Sequence, residues 1–245
     1  MTPNLHLAHI SDVLLTWAVF GYAFAMFGYA AEFAAGRRAE VRGGGAEAGK
    51  QGGRRAERVG RGAVVLTVAG WGFHLSSVIT RGLAVHRVPW GNMYEFSCMV
   101  TLVAVTVYLF LLTQPRVRAV LTGRERTTES VRCLGAFVMA PIILYLGLAG
   151  TVLYAAPGPL VPALNSYWIK IHVVAAISAT GAFMVSGVIT VLYLLKERYE
   201  RGLPPLRVSL MARLRSPRNP ARVSLGPGTA AVVEMGPARA GLMKA

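Results

Sequence analysis

Five stretches of the chain contain no Asp, Glu, Lys or Arg: Val13 to Ala31, Gly62 to Thr80, Phe96 to Pro115, Cys133 to Ile169 and Ile171 to Leu195. Each reaches the roughly 18 apolar residues that a helix needs to cross a bilayer. The fourth is too long for one crossing. Pro157, Pro159 and Pro162 predict that its helix ends near Ala155, followed by a loop of about a dozen residues. The pattern therefore predicts an all-α polytopic integral membrane protein with about five transmembrane helices. Composition agrees, with 54% hydrophobic and only 15% charged residues.

Orientation follows from the basic residues. Eight Lys or Arg lie between the first and second apolar stretches, five between the third and fourth, and ten from Lys196 onward. The opposite side holds three: Arg81, Arg87 and Lys170. The positive-inside rule then predicts an outer amino terminus, with the 81–95 and 156–170 connections outside. Met1 to Ser11 carries no Lys or Arg, so the first helix does not read as a cleaved signal peptide. The formal charge of +15 sits almost wholly in cytoplasmic segments without a recognition motif, which argues for topology and anionic lipid and against nucleic acid.

The expected organisation is an outer terminus with helix 1 over 1–35, a Gly/Arg-rich cytoplasmic linker over 36–61, helices 2 to 5 over 62–201, and a basic tail over 202–245. The linker, with nine glycines in Gly36 to Gly62, is expected to be flexible. The tail combines six prolines, five glycines and seven basic residues, and is expected to be disordered. Its abrupt change of character reads either as a basic tail or as a shortened reading frame. Cys98 falls near the outer end of helix 3 and Cys133 at the inner end of helix 4, too far apart for a disulfide, and both read as small buried residues.

Candidate chemistry concentrates on the outer side. Pro89 to Phe96 reads P-W-G-N-M-Y-E-F and places Glu95 within a residue of hydrocarbon, where a carboxylate marks a functional site or needs a partner. Arg81, Arg87 and Asn92 are the nearby polar candidates, and the bland alternative is an interfacial loop anchored by Trp90 and Tyr94. His74 lies roughly 9 Å below the outer end of helix 2, and His172 opens helix 5 one turn after Trp168. Two helix-borne histidines near one face, amid Trp17, Trp90 and Trp168, point to a flat apolar ligand carrying a metal; a hydrogen-bonded structural role is the alternative. No H-E-x-x-H or paired C-x-x-C favours zinc. In helix 5, Ser178, Ala182, Ser186 and Thr190 form a small-residue stripe suited to close helix packing.

The order of His74, P-W-G-N-M-Y-E-F and N-S-Y-W-I-K-I-H-V (Asn165 to Val173) resembles the amino-terminal half of the CcsA/ResC cytochrome c biogenesis family, called CcsB in some bacteria, over about Gly62 to Glu200. The resemblance implies a plasma-membrane subunit of the System II cytochrome c synthetase that handles b-type haem transiently. It also implies a ResB-type membrane partner and apocytochrome c as the acceptor. Residue by residue, His172 matches an external haem-iron ligand with Trp168 beside it, and Pro89, Asn92, Tyr94 and Glu95 match the outer-loop motif. His74 precedes that motif as a further cofactor-binding candidate. The family's tryptophan-rich W-G-x-Y-W-x-W-D segment does not occur in this sequence, so a complete synthetase activity is not implied. Two other readings stand beside this one: a b-type electron-transfer subunit with His74 and His172 as paired axial ligands, and a scaffold or transport subunit without haem.

Overall fold

The computed structural model describes residues 4–42, 46–114, 128–158 and 166–202. It is all helical there, with α1 Leu5–Arg42, α2 Ala46–Val85, α3 Met93–Thr113, α4 Thr128–Thr151 and α5 Tyr167–Glu200. All five carry windows long and apolar enough to cross a membrane. Large apolar side chains point outward, among them Trp17, Phe20, Phe24 and Phe27 of α1, while the inward positions of the same helix, Leu15 apart, are small or polar. That arrangement inverts a water-soluble bundle and suits a hydrocarbon surround.

The centre of the fold is the antiparallel α1/α2 pair. Ala8, Ser11, Leu15, Ala18, Tyr22, Ala25, Tyr29 and Glu32 are buried along α1 at alternating spacings of three and four. Gly60, Ala63, Thr67, Gly70, His74, Ser77, Arg81 and Ala84 answer them along α2 with the same rhythm. This is a heptad seam built from small and polar residues, as expected where lipid offers no hydrophobic drive between helices. Glycine lets the backbones close: a Cβ on Gly70 would lie 2.9 Å from the Tyr22 ring, and one on Gly21 would lie 3.2 Å from the Gly70 Cα. Rungs of hydrogen bonds cross the seam at Ser11–Ser77 (3.2 Å), Tyr22–His74 (3.2 Å) and Tyr29–Thr67 (2.9 Å). α3 and α4 complete the core through Tyr108, Val105, Met139, Ile142 and Leu146. α5 buries only Ile177, Gly181 and Val185, and a Cβ on Gly181 would lie 2.8 Å from the Val100 carbonyl on α3.

Two expectations about element bounds change. The described parts of 36–61, expected as a flexible linker, are helical, because α1 runs on to Arg42 and α2 begins at Ala46. Arginine, alanine and glutamate favour helix there, and Glu57 pairs with Arg61 one turn on at 2.5 Å. α4 stops at Thr151, before the expected Ala155, although it tolerates Pro141 in its interior. Its next residues leave the helix because Tyr154 and Ala155 are taken up by side chains of other helices, described below. The chain divides at Leu195 into a second unit, of which the last turns of α5 and Gly202 are described; they carry the pairs Lys196–Glu200 and Glu197–Arg201. The expected basic tail from 203 onward and the side chain of Cys133 lie outside the described residues.

Candidate functional site

The α2–α3 connection is built by local rules. α2 ends with His86 in the left-handed region at φ 52, where Arg87 N–H reaches the Gly82 carbonyl (3.2 Å) and His86 N–H reaches Leu83 (3.4 Å). These are the two bonds of a Schellman cap, usually closed by glycine. Pro89 is buried against Gly82, which has no side chain to obstruct it. Asn92 then caps α3 by accepting from Glu95 N–H at 2.8 Å. This fixes Glu95 in the first turn of α3 with its side chain wholly buried.

Around Glu95 the structure assembles two carboxylates and two guanidiniums. Glu95 accepts from Arg87 Nη1 at 2.8 Å and from Gly91 N–H at 2.9 Å, and lies 3.5 Å from Arg81 Nε. Arg81 also reaches Asp12 of α1 at 3.4 Å. Asp12 accepts from Tyr94 (3.2 Å) and Tyr154 (2.8 Å), whose rings meet edge to face with centroids 5.2 Å apart. The Arg81 guanidinium stands 5.1 Å from the centre of the Tyr94 ring. Both arginines continue to the chain beyond α4: Arg81 donates to the Ala155 carbonyl at 2.6 Å and Arg87 to the Gly158 carbonyl at 3.1 Å. The result is a charge-balanced clamp joining the ends of α1, α2 and α3 to segment 154–158. Pairing and hydrogen bonding of every member lower the cost of burying these charges. Donation to Asp12 also holds the Tyr154 phenol above the ordinary tyrosine range.

All four residues of the α2–α3 loop singled out from the sequence thus converge: Pro89, Asn92, Tyr94 and Glu95 either shape the turn or enter the clamp. The two helix histidines do not. His74 is 0% exposed in the α1/α2 seam, with Nδ1 bonded to Tyr22 and Nε2 buried facing the Cys98 backbone without a well-formed hydrogen bond. The packed Tyr22 ring and α3 leave no room at His74 for a tetrapyrrole. His172 is exposed on the second turn of α5, beside Trp168, which is 77% exposed and stacks edge to face with Tyr167. Its imidazole is open to a large planar ligand, and the neighbouring aromatic rings match such a ligand's apolar faces. His172 is thus accessible from outside the bundle, whereas His74 is enclosed within it. Among the described residues no group of three or more His, Cys, Asp or Glu gathers as a metal site.

Sequence reasoning missed Asp12, the hub of the clamp, and a second buried pair at the opposite end, Glu32–Arg132 at 3.2 Å. A Cβ on Gly60 would land on the Glu32 carboxylate, so the absence of a side chain there leaves the space this carboxylate occupies. Tyr29, hydrogen-bonded to Thr67, and Tyr108, edge to face with Tyr29 at 6.2 Å, line the same layer.

Over the described residues the fold and the clamp define a bundle of five helices suited to a membrane, with its buried ion pairs at the two ends. Against known proteins, the chain is similar to a cytochrome c biogenesis protein CcsA of Trieres chinensis, with 26% identity over 124 residues. The match takes in 49% of this chain and 35% of that protein, so the similarity spans about a third of the relative's length. No protein-family model and no solved structure matches the chain.

Proposed function

We propose that this chain is a multi-pass plasma-membrane subunit of System II cytochrome c maturation that presents haem on the outer side for attachment to apocytochrome c. The observation that carries the reading is the clamp. The motif P-W-G-N-M-Y-E-F, one of the two that carry the family resemblance, is bound through Arg81, Arg87 and Glu95 to Ala155 and Gly158, which precede the other in sequence. Similarity to a CcsA protein supports the assignment to cytochrome c biogenesis. The excess of basic residues on the opposite side supports an outward Asp12 end.

On this reading haem is cargo. His172 binds its iron and Trp168 covers one face, while Pro89, Asn92, Tyr94 and Glu95 hold the adjoining loop. A ResB-type partner and the tryptophan-rich segment of the family, neither in this chain, complete the synthetase. The burial of His74 disfavours its pairing with His172 across one haem, so a permanent b-type electron carrier is the weaker reading.

Purification from haem-replete cells tests the proposal. The wild type is expected to show a substoichiometric Soret band that His172→Ala removes at unchanged membrane level, while His74→Ala keeps the band. Equal haem content in wild type and His172→Ala would refute the assignment.

A further inference from the structure

We propose that the molecule contains an internal hydration site: one water molecule, held between α1, α2 and α3, that satisfies Glu95 and joins the clamp to the Ser11–Ser77 rung of the α1/α2 seam. The site follows from the geometry of the helix ends and does not depend on haem.

The two oxygens of Glu95 are served unequally. Oε2 accepts from Arg87 Nη1 at 2.8 Å and from Gly91 N–H at 2.9 Å. Among the described residues Oε1 has only long contacts, 3.5 Å to Arg81 Nε and 3.4 Å to Arg87 Nη2. A charge-assisted N–H···O bond normally measures about 2.7 to 2.9 Å, so Oε1 of this wholly buried side chain lacks a close donor. A buried carboxylate oxygen in that state is costly. Arg81 shows the complementary deficit, since its contact with Asp12 is also long at 3.4 Å.

A cavity of about 10 Å³ lies at this place, its polar lining supplied by Ser11 of α1, Ser77 and Arg81 of α2, and Tyr94, Glu95 and Cys98 of α3. That volume is about the least that holds one water, which needs about two to four polar partners. The partners define the chemistry of the occupant. The Ser11 hydroxyl donates to the Ser77 carbonyl at 3.0 Å and the Ser77 hydroxyl to the Ser11 carbonyl at 2.7 Å, so both serine oxygens are left as acceptors. Glu95 Oε1 also accepts, and Arg81 Nε donates. The occupant therefore donates to the carboxylate and to a serine oxygen, and accepts from the guanidinium. Two guanidiniums beside Glu95 disfavour a cation of this size, and water meets all three demands. Among the described residues no hydrogen bond joins the clamp directly to the Ser11–Ser77 rung; through the water they become one network.

Hydroxyl radicals generated by an X-ray pulse test the site in the full chain in nanodiscs, because a radical formed from a bound water attacks the side chains around it. Tyr94 is 3% exposed and lines the cavity, whereas Tyr22 and Tyr29 are 0% exposed and do not. Ring hydroxylation, located by mass spectrometry, is expected to be several times faster at Tyr94 than at either of the other two. After rapid mixing into heavy-oxygen water, the isotope is expected to appear at Tyr94 later than at the exposed Tyr154, as a slowly exchanging water requires. Val78→Ile and Cys98→Val each add one heavy atom at the cavity wall and keep Arg81, Glu95 and both serines. In folded protein, at least one of them should abolish the excess at Tyr94. Replacing Ser11 and Ser77 together by Ala removes two acceptors, and the isotope should then arrive sooner.

Hydroxylation no faster at Tyr94 than at Tyr22, or simultaneous arrival of the isotope at Tyr94 and Tyr154, overturns the site. The full excess retained in both filled variants places the water elsewhere and overturns it equally. Unchanged isotope arrival in the double serine variant overturns the link to the seam.

Discussion

Neutralising Glu95 exposes how the clamp divides its energy. In Glu95→Gln the shape is retained, but Arg87, bonded at 2.8 Å and largely buried, loses the one carboxylate it pairs with among the described residues, whereas Arg81 keeps Asp12 and the Ala155 carbonyl. Removing one partner of a buried pair costs about 3 to 5 kcal/mol, most of it from the charge left behind. Arg87→Gln should cost a similar amount for the same reason. The double variant leaves neither charge stranded, so the coupling energy should be about 2 kcal/mol, within the range for residues in direct contact. The Arg81 contact is 3.5 Å long and Arg81 has other partners, so its coupling to Glu95 should fall below about 1 kcal/mol. Unfolding in detergent micelles, followed by far-ultraviolet circular dichroism for the four corners of each cycle, measures both values. Additivity within about 0.5 kcal/mol for Glu95 and Arg87, or stronger coupling to Arg81 than to Arg87, would refute this division.

Two further expectations follow from the same end of the molecule. His86 occupies the left-handed position of the α2 cap, so His86→Gly should match or exceed wild-type stability by up to about 1 kcal/mol and His86→Val should be clearly worse; the reverse order of unfolding midpoints would show that the imidazole contributes contacts the backbone argument leaves out. The Tyr154 phenol is raised in the folded state by donating to Asp12, so its contribution is complete below the ordinary tyrosine value of about 10 and is lost as pH rises through the higher folded value. The stability gap between wild type and Tyr154→Phe should accordingly stay constant through neutral pH and close only in strong alkali, and a gap that closes near neutrality would remove Asp12 as its cause.

The five helices were legible because lipid demands long apolar runs, and the Asn92 cap was implicit in P-W-G-N-M-Y-E-F. What stayed hidden has a common physical source. The apolar stretches were delimited by the absence of charge; Glu95 stood out with Arg81 and Arg87 as candidate partners, but Asp12, Glu32 and Arg132, which bound the other stretches, were set aside as flanks. Asp12 immediately precedes Val13, Glu32 follows Ala31, Arg81 follows Thr80, Glu95 precedes Phe96 and Arg132 precedes Cys133. These boundary residues form the two buried networks. Opposite signs at helix ends on the same side would have predicted the remaining pairings, Asp12 with Arg81 and Glu32 with Arg132. The seam was also present, as the 3–4 spacing of small and polar residues in α1 and α2, but apolarity masks a period carried by Ala, Gly and Tyr. His74 and His172 were grouped by depth alone; depth does not say which side of a helix faces its neighbours, and that separates a packed imidazole from an open one.

The clamp has an electrical consequence. Its two carboxylates and two guanidiniums sum to zero, as do Glu32 and Arg132 at the other end. A membrane voltage acts on net charge, at about 2.3 kcal/mol per elementary charge carried through 100 mV. The intact ends therefore feel almost no force from an energised membrane, and their geometry should be the same in a resting cell as in a de-energised vesicle. Replacing one carboxylate by its amide leaves a unit of positive charge at the helix ends, and the loop it holds becomes responsive to the voltage.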